Sequence, residues 1–338
     1  MTANSNAIGS SQNSTLVRLL ARVFTVPSWR AVRAGTQLAF TRARFGVMSR
    51  LAPRHALAHA QSLFMTPPRF QHSHAEQKLI ASATVMPIDT PFGQLAAWRV
   101  GDPSAPAIVL CHGWGGRGAQ LRGFVPPLVG AGYQVVFFDH LGHGFSDGRQ
   151  AALVDFWQGL EAVWDALIDR GITVHGMVAH SLGGAAVASA LRRSLTRKHI
   201  HAPAPRVVLI APPASLIRYS KMFARYVGIS ERIRHAMQWR FEQRYGVSWQ
   251  EFELPQSVAG IRAPALFIHD KTDRETKFEG GLALASTWPD ARFVATDKLG
   301  HRRILRDAKV ISQTIDFLKD RVEFRRPAEI ASGPSPLY

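Results

Sequence analysis

The sequence predicts an α/β fold: a mostly parallel, eight-stranded sheet opened by an antiparallel hairpin, with helices on both faces and a small helical cap. Three observations carry this. From about Ala81 onward, short β-rich runs alternate with helical segments, and strand–helix–strand connections within one sheet demand right-handed crossovers and parallel pairing. The first two runs are joined only by the short turn Thr90-Pro91-Phe92-Gly93, which makes them an antiparallel hairpin. Between the strand at Arg206 and the strand at Ala265 lie about 50 residues, too many for an ordinary crossover.

The first segment, residues 1–80, reads as a basic helical extension. Met1 to Thr15 is rich in Ser, Asn and Thr, a composition that favours disorder. From Leu16 to about Met65 the pattern is helical, with Leu16, Leu19, Leu20 and Val23 on one face and Arg18 and Arg22 beside it. Pro27 and Pro53 divide it, and Pro67-Pro68 ends it. Between Met1 and Gln77 nine arginines face one acid, Glu76, about half of the chain's net charge of +17. Two readings follow: an appendage packed on the main body, or peripheral attachment to an anionic membrane. Nucleic acid is not an expected partner, because these arginines lack interleaved aromatics and a recognisable binding motif. No apolar run approaches the ~20 residues of a membrane span, and Arg18 and Arg22 interrupt the only early apolar stretch. The expected location is cytoplasmic, with peripheral membrane contact under the second of these two readings.

The main domain runs over 81–325. Its expected strands are Ala83–Ile88, Leu95–Val100, Ala107–Cys111, Gln134–Asp139, Val174–Ala179, Arg206–Ile210, Ala265–His269 and Arg292–Thr296. Helical patterns fit Gln120–Ala131, Leu153–Asp169, Leu182–Arg193, Lys277–Thr287 and Arg303–Val322. The insertion, about 214–262, holds Phe223, Trp239, Phe241, Trp249 and Phe252 among other aromatics. A ligand pocket needs apolar walls, so the insertion reads as a cap rather than a plain surface excursion. Residues 326–338, with Pro334 and Pro336, form a tail expected to fray. At 46% apolar residues in 338, the chain can bury a sizeable core.

The chemistry centres on Met177-Val178-Ala179-His180-Ser181-Leu182-Gly183-Gly184. An apolar strand runs into a Ser flanked by small residues, and a helix follows at once. Such a turn exposes the Ser side chain at the C-terminal edge of the sheet. Ala179 stands where a Gly is usual, so the strict G-x-S-x-G pattern is not met. The bland alternative is a helix N-cap. Upstream, the strand at Ala107 ends in His112-Gly113-Trp114-Gly115-Gly116, whose glycines let backbone approach a substrate oxygen. The backbone N–H groups of Trp114 and Leu182 are the candidate oxyanion donors. A carboxylate partner comes from His269-Asp270-Lys271-Thr272-Asp273-Arg274-Glu275, since the loop after the Arg206 strand offers none. Asp270, at the strand end, suits bracing the loop; Asp273 lies farther out, where it can reach a histidine. His301, preceded by Gly300, has no competing histidine beyond His269. No His or Cys group has metal-ligand spacing, no cofactor motif is present, and Cys111 reads as strand packing.

These segments together resemble the α/β-hydrolase superfamily, in its serine esterase, lysophospholipase and serine-aminopeptidase-like branch. The resemblance covers about 240 residues, from Ala81 to Val322. It rests on His112-Gly113-Trp114-Gly115, Asp139-His140-Leu141-Gly142-His143-Gly144-Phe145-Ser146, the Ser181 turn, His269-Asp270-x-x-Asp273 and Gly300-His301. It implies a triad of Ser181, Asp273 and His301, with the second Asp of the His-Asp-x-x-Asp pattern as its acid. The Asp139–Ser146 segment carries no catalytic role in this reading. The expected function is hydrolysis of a carboxylic ester or thioester of a small-molecule acyl substrate. Acyl transfer on the same fold is the second reading, and a membrane-docking binding protein on a hydrolase scaffold the third.

Overall fold

The computed structural model describes residues 30–195 and 204–319, with side chains from residue 37 onward. The expectations for Leu16–Val26 and for the tail lie outside the described residues. Along the chain come helices α1 (Arg30–Leu51), α2 (Pro53–Met65) and α3 (His74–Ser82), then strands β1 (Thr84–Val85), β2 (Ile88–Thr90), β3 (Gly93–Leu95), β4 (Ala97–Val100) and β5 (Ala107–Cys111). They are followed by α4 (Val125–Gly130), β6 (Gln134–Phe138), α5 (Leu153–Ile168), β7 (Val174–His180), α6 (Leu182–Ser194) and β8 (Arg206–Ile210). The rest comprises α7 (Leu216–Val227), α8 (Glu231–Tyr245), α9 (Leu254–Ser257), β9 (Ala265–Asp270), α10 (Phe278–Thr287), β10 (Ala291–Thr296), α11 (Gly300–Arg303) and α12 (Ala308–Leu318). By packing, these residues form two units: those up to Pro68 with Ser215–Glu253, and Arg69–Ala214 with everything from Leu254.

The larger unit is the predicted sheet. Eight strands run in the order β1-β4-β6-β5-β7-β8-β9-β10. β1 and β6 pair antiparallel with β4, and all later neighbours are parallel. Every residue of β5, β6 and β9 is buried. Parallel strands covered on both faces read as continuous apolar runs rather than as alternation. On one face Leu110, Val178, Ile210 and Leu266 pack with Phe124, Leu128, Val310 and Phe317. Helix α5 buries Leu153, Phe156, Trp157, Leu160, Val163, Trp164 and Leu167, the 3-4 spacing of one helical stripe. It packs on α6, whose buried Gly183, Gly184, Ala185, Ala186, Ala188 and Ala190 permit close approach.

Three elements differ from expectation. The opening hairpin keeps its antiparallel sense, with Thr84 opposite Arg99, but its tip forms a separate two-stranded ribbon, β2–β3. Pro87 lacks the N–H that a continuous ladder needs, and Ala96 turns both backbone groups elsewhere, to Ser146 Oγ and the Asp139 N–H. The helix expected over Gln120–Ala131 is a 3₁₀ segment, Gly118–Phe124, followed by α4; Pro126 and Pro127 have no N–H to continue the earlier turn. The last helix is divided at Asp307, whose side chain accepts the Val310 N–H at 3.0 Å and starts α12 afresh.

The smaller unit joins two stretches far apart in sequence. Phe45, Leu57 and Leu63 from α1 and α2 share a core with Val227, Ile229, Ile233 and Met237 from the insertion. Phe64 packs on Phe223 and Trp249, and Trp249 on Phe241 and Phe252. The insertion's aromatics thus largely face one another and α2. Gly228 (φ 80°) and Gly246 (φ 65°) end α7 and α8 in left-handed geometry, where a side chain is strained. Helix α3, placed with the extension by sequence, belongs to the sheet unit, where Glu76 meets Arg117 at 2.7 Å.

Strand order locates the chemistry. From β5 the chain adds β6 on one side and then crosses to add β7 on the other. At such a reversal the C-terminal ends of the two strands open a crevice. The loops leaving β5 and β7 are His112–Gly116 and the Ser181 turn.

Candidate active site

Ser181 sits between β7 and α6 with φ 52° and ψ −124°, a conformation that costs a non-Gly residue about 1–3 kcal/mol. An N-cap residue is extended and its side chain bonds the first turn. Ser181 does neither, so the helix-cap alternative does not describe it. The turn is held by the Ser181 N–H on Ile210 O (2.9 Å) and the Gly184 N–H on Ser181 O (2.8 Å). Two glycines make room for it. A Cβ on Gly183 would lie 2.6 Å from His112 O and 2.7 Å from Cys111 O, and one on Gly113 would lie 2.7 Å from Ser181 Cβ. At Ala179, paired with Cys111 and Leu209 inside the sheet, a methyl group is accommodated.

The glycine loop after β5 is a closed turn, with the Gly116 N–H on Gly113 O at 2.9 Å and Gly115 at φ 65°. His112 Nδ1 donates to Gly113 O at 2.7 Å, and its Nε2 accepts the His140 N–H at 3.0 Å. A peptide is planar and trans, so fixing Gly113 O also fixes the opposite direction of the Trp114 N–H. The other candidate donor, the Leu182 N–H, opens α6, where no intrahelical acceptor exists. The Gly115 N–H is already engaged by His143 Nε2, at 3.0 Å.

The three carboxylates that sequence left as candidates have distinct surroundings. Asp270 accepts from the Thr272 N–H and hydroxyl, the Thr296 hydroxyl and the Leu299 N–H, and so braces two loops. Burial alone would raise its pKa; these donors outweigh it and bring it down to about 2. Glu275 pairs with Arg302 at 3.0 Å and lies 3.9 Å from His301 Nε2. Asp273 is buried, and its Oδ2 accepts from His301 Nδ1 at 2.7 Å. Its Oδ1 accepts the Glu275 and Thr276 N–H groups at 2.8 and 3.0 Å. Burial pushes the Asp273 pKa up, but the His301 hydrogen bond and charge bring it below the ordinary carboxylate value. Donation from Nδ1 leaves Nε2 of His301 as the ring's acceptor.

Sequence reasoning missed three neighbours. Thr276 Oγ1 lies 2.9 Å from Asp273 Oδ2, 3.1 Å from His301 Nδ1 and 3.1 Å from Ala211 O. His180 Nε2 donates to the His301 carbonyl at 2.9 Å, linking the residue before Ser181 to the histidine loop. His143 sits in a segment read as purely structural. Cys111 is fully buried, and burial pushes its thiol pKa up, as strand packing requires. Among the described residues no group of three His, Cys, Asp or Glu is arranged to hold a metal ion.

Residues 102–250 match the family model described as serine aminopeptidase, S33. No curated protein is matched by sequence. Among solved structures the chain is similar to the esterase Pf2001 of Pyrococcus furiosus, at 20% identity and a TM-score of 0.57 over 75% of this chain and 98% of that one. The carboxylesterase CesB of Bacillus subtilis is similar at 18% identity and a TM-score of 0.54, over 73% and 97% of the two chains. A membrane phospholipase A gives 18% identity and a TM-score of 0.54, over 86% and 98%. At these identities the likeness establishes a shared fold. The strand order, the Ser turn after β7 and these likenesses give the chain the α/β-hydrolase fold.

Proposed function

We propose that this protein is a serine hydrolase that cleaves a carboxylic ester or thioester through an acyl-enzyme intermediate. The observation that carries the reading is the buried His301–Asp273 hydrogen bond of 2.7 Å, in a chain whose Ser181 is strained into a sharp turn at the sheet's switch point. Ser181 Oγ attacks the acyl carbonyl while His301 Nε2 takes its proton. Asp273 fixes the imidazole tautomer and stabilises the cation that forms. The Trp114 and Leu182 N–H groups hold the oxyanion, a contribution of about 3 kcal/mol for each donor. The intermediate collapses, His301 returns the proton to the leaving group, and water releases the acyl group by the same steps in reverse. Small-molecule acyl substrates are the proposed partners. Acyl transfer differs only in the acceptor; added alcohol that diverts most product to a new ester would select it. The direct test compares wild type with Ser181→Ala on p-nitrophenyl esters of several chain lengths. Turnover should fall by at least a thousandfold, and unchanged turnover would falsify the assignment.

One observation favours work at a membrane surface. Phe40, Val47 and Leu51 of α1 are 71%, 56% and 81% exposed. At 100° per residue they fall on one stripe with exposed Arg44, opposite buried Phe45. Exposed Arg50 and Arg54 lie nearby, and no acidic residue precedes Glu76. An apolar stripe set among arginines fits an anionic lipid surface, where each arginine is worth about 1 kcal/mol. No described helix is long and apolar enough to cross a membrane. Full-length protein should float with phosphatidylglycerol-containing vesicles at low salt, and Phe40→Ser with Leu51→Ser should abolish this. Absence of flotation, or equal binding to pure phosphatidylcholine, removes the idea.

A further inference from the structure

We infer that His143 is a positioning residue for the oxyanion loop, holding the Trp114–Gly115 peptide in one orientation by accepting the Gly115 N–H. This rests on the serine-hydrolase reading above and assigns work to a segment that sequence treated as scaffold alone.

The segment around His143 is tied down from several sides. The Asp139 carboxylate accepts the Gly118 and Phe145 N–H groups at 2.7 and 2.8 Å. Ser146 Oγ donates to Asp139 O and accepts the Ala96 N–H. The Arg69 guanidinium bonds the carbonyls of Gly142, Ser146 and Gly148. Gly144 has no room for a side chain, since a Cβ there would overlap the Asp139 carboxylate. From this anchored loop the His143 ring reaches the glycine turn. Its Nδ1 donates to Leu141 O at 2.9 Å, which leaves Nε2 an acceptor, and Gly115 fills it at 3.0 Å. Burial holds the ring's pKa down to about 4, so the acceptor persists at neutral pH.

The turn needs such a lock. Gly113–Gly116 is closed by one backbone bond, and its third residue, Gly115, has positive φ, the type II arrangement. Type I and type II turns differ by a flip of the central peptide, here Trp114–Gly115, and glycine permits both. A flip would aim the Trp114 carbonyl at the His143 lone pair, so the neutral ring selects one form. The Trp114 N–H itself lies on the preceding peptide, held through Gly113 O, and the His143 bond keeps the far end of the same turn from shifting it. Packing of the ring against Trp114 and Phe156 needs no nitrogen at this position; the Gly115 bond does.

Three variants separate the lock from packing. His143→Phe keeps a ring and loses the acceptor. His143→Gln places Oε1 near the lost Nε2, whereas the shorter side chain of His143→Asn stops near Nδ1 and cannot reach Gly115. Steady-state kinetics on the best ester should show kcat reduced about 10- to 100-fold for Phe and Asn, less than the loss of a whole oxyanion donor, with KM within about threefold. Gln should recover most of kcat. Affinity for a trifluoromethyl ketone, which forms an oxyanion on the serine, should fall in parallel with kcat. The inference is overturned if Phe and Asn retain kcat within twofold, if only KM changes, or if Gln is as impaired as Asn. Wild type that turns over no ester overturns the serine-hydrolase reading instead, and this inference with it.

Discussion

Gly113→Ala probes the site by geometry alone, because it adds one methyl group and removes no hydrogen bond. That methyl would lie 2.7 Å from Ser181 Cβ, 3.1 Å from His180 O and 3.4 Å from Ser181 Oγ. Comfortable carbon–carbon contact is about 3.5–4.0 Å, so roughly 1 Å must be found. Ser181 cannot simply withdraw: its N–H is bonded to Ile210 O, and Gly183 behind it already abuts the carbonyls of His112 and Cys111. Overpacking of this kind costs about 1–3 kcal/mol of stability. Displacing a reacting group by about 1 Å costs about 100-fold in rate. The variant should therefore remain folded, with kcat/KM lowered about 100-fold. Ester turnover would be measured beside denaturant melts, with Gly130→Ala as control, since a Cβ there meets nothing within 4 Å. Activity of Gly113→Ala within threefold of wild type would refute the placement of Ser181 against this loop.

Other outcomes follow from the same contacts. Asp273→Asn should lower kcat by about 10⁴-fold, because an amide no longer selects the His301 tautomer; steady-state turnover checks this. Asp270 has its pKa lowered to about 2 from an ordinary value of about 3.9. The stability it contributes is therefore present above about pH 4 and lost as pH falls toward 2. Asp270→Asn should be less stable at neutral pH, and its denaturation midpoint should vary less across that window. Gly46→Ala should stabilise the protein by about 0.5–1 kcal/mol, because Gly46 lies inside α1 and a Cβ there meets nothing within 4 Å; a shifted urea midpoint with unchanged slope would show it.

Much of the sheet was legible because its strands are short apolar runs with local punctuation. Ala107–Cys111 and Arg206–Ile210 are bounded in sequence as they are in space. The departures came from prolines and side-chain bonds that propensity does not count, at Pro87, Pro126-Pro127 and Asp307. The shared core of Phe45 and Leu57 with Ile233 and Met237 was not legible at all. Each helix shows an apolar stripe, but no local pattern says that two stripes some 180 residues apart meet. Within the candidate site, loop position together with the family resemblance pointed to Ser181, Asp273 and His301, and the contact of the last two is a structural fact. Thr276, His180 and His143 escaped notice because their contacts are hydrogen bonds to backbone and side-chain groups that only the fold brings close. A lone Thr or His in a loop carries no such signal.

Ser181 as the nucleophile is the point on which the proposed chemistry turns. The most direct measurement treats the full-length wild-type protein with a fluorophosphonate and maps the adduct by peptide mass spectrometry. One adduct per chain, on Ser181, formed at a rate that Asp273→Asn greatly slows, is the predicted result. Ester turnover without any adduct on Ser181, or an adduct on a different residue, would contradict it.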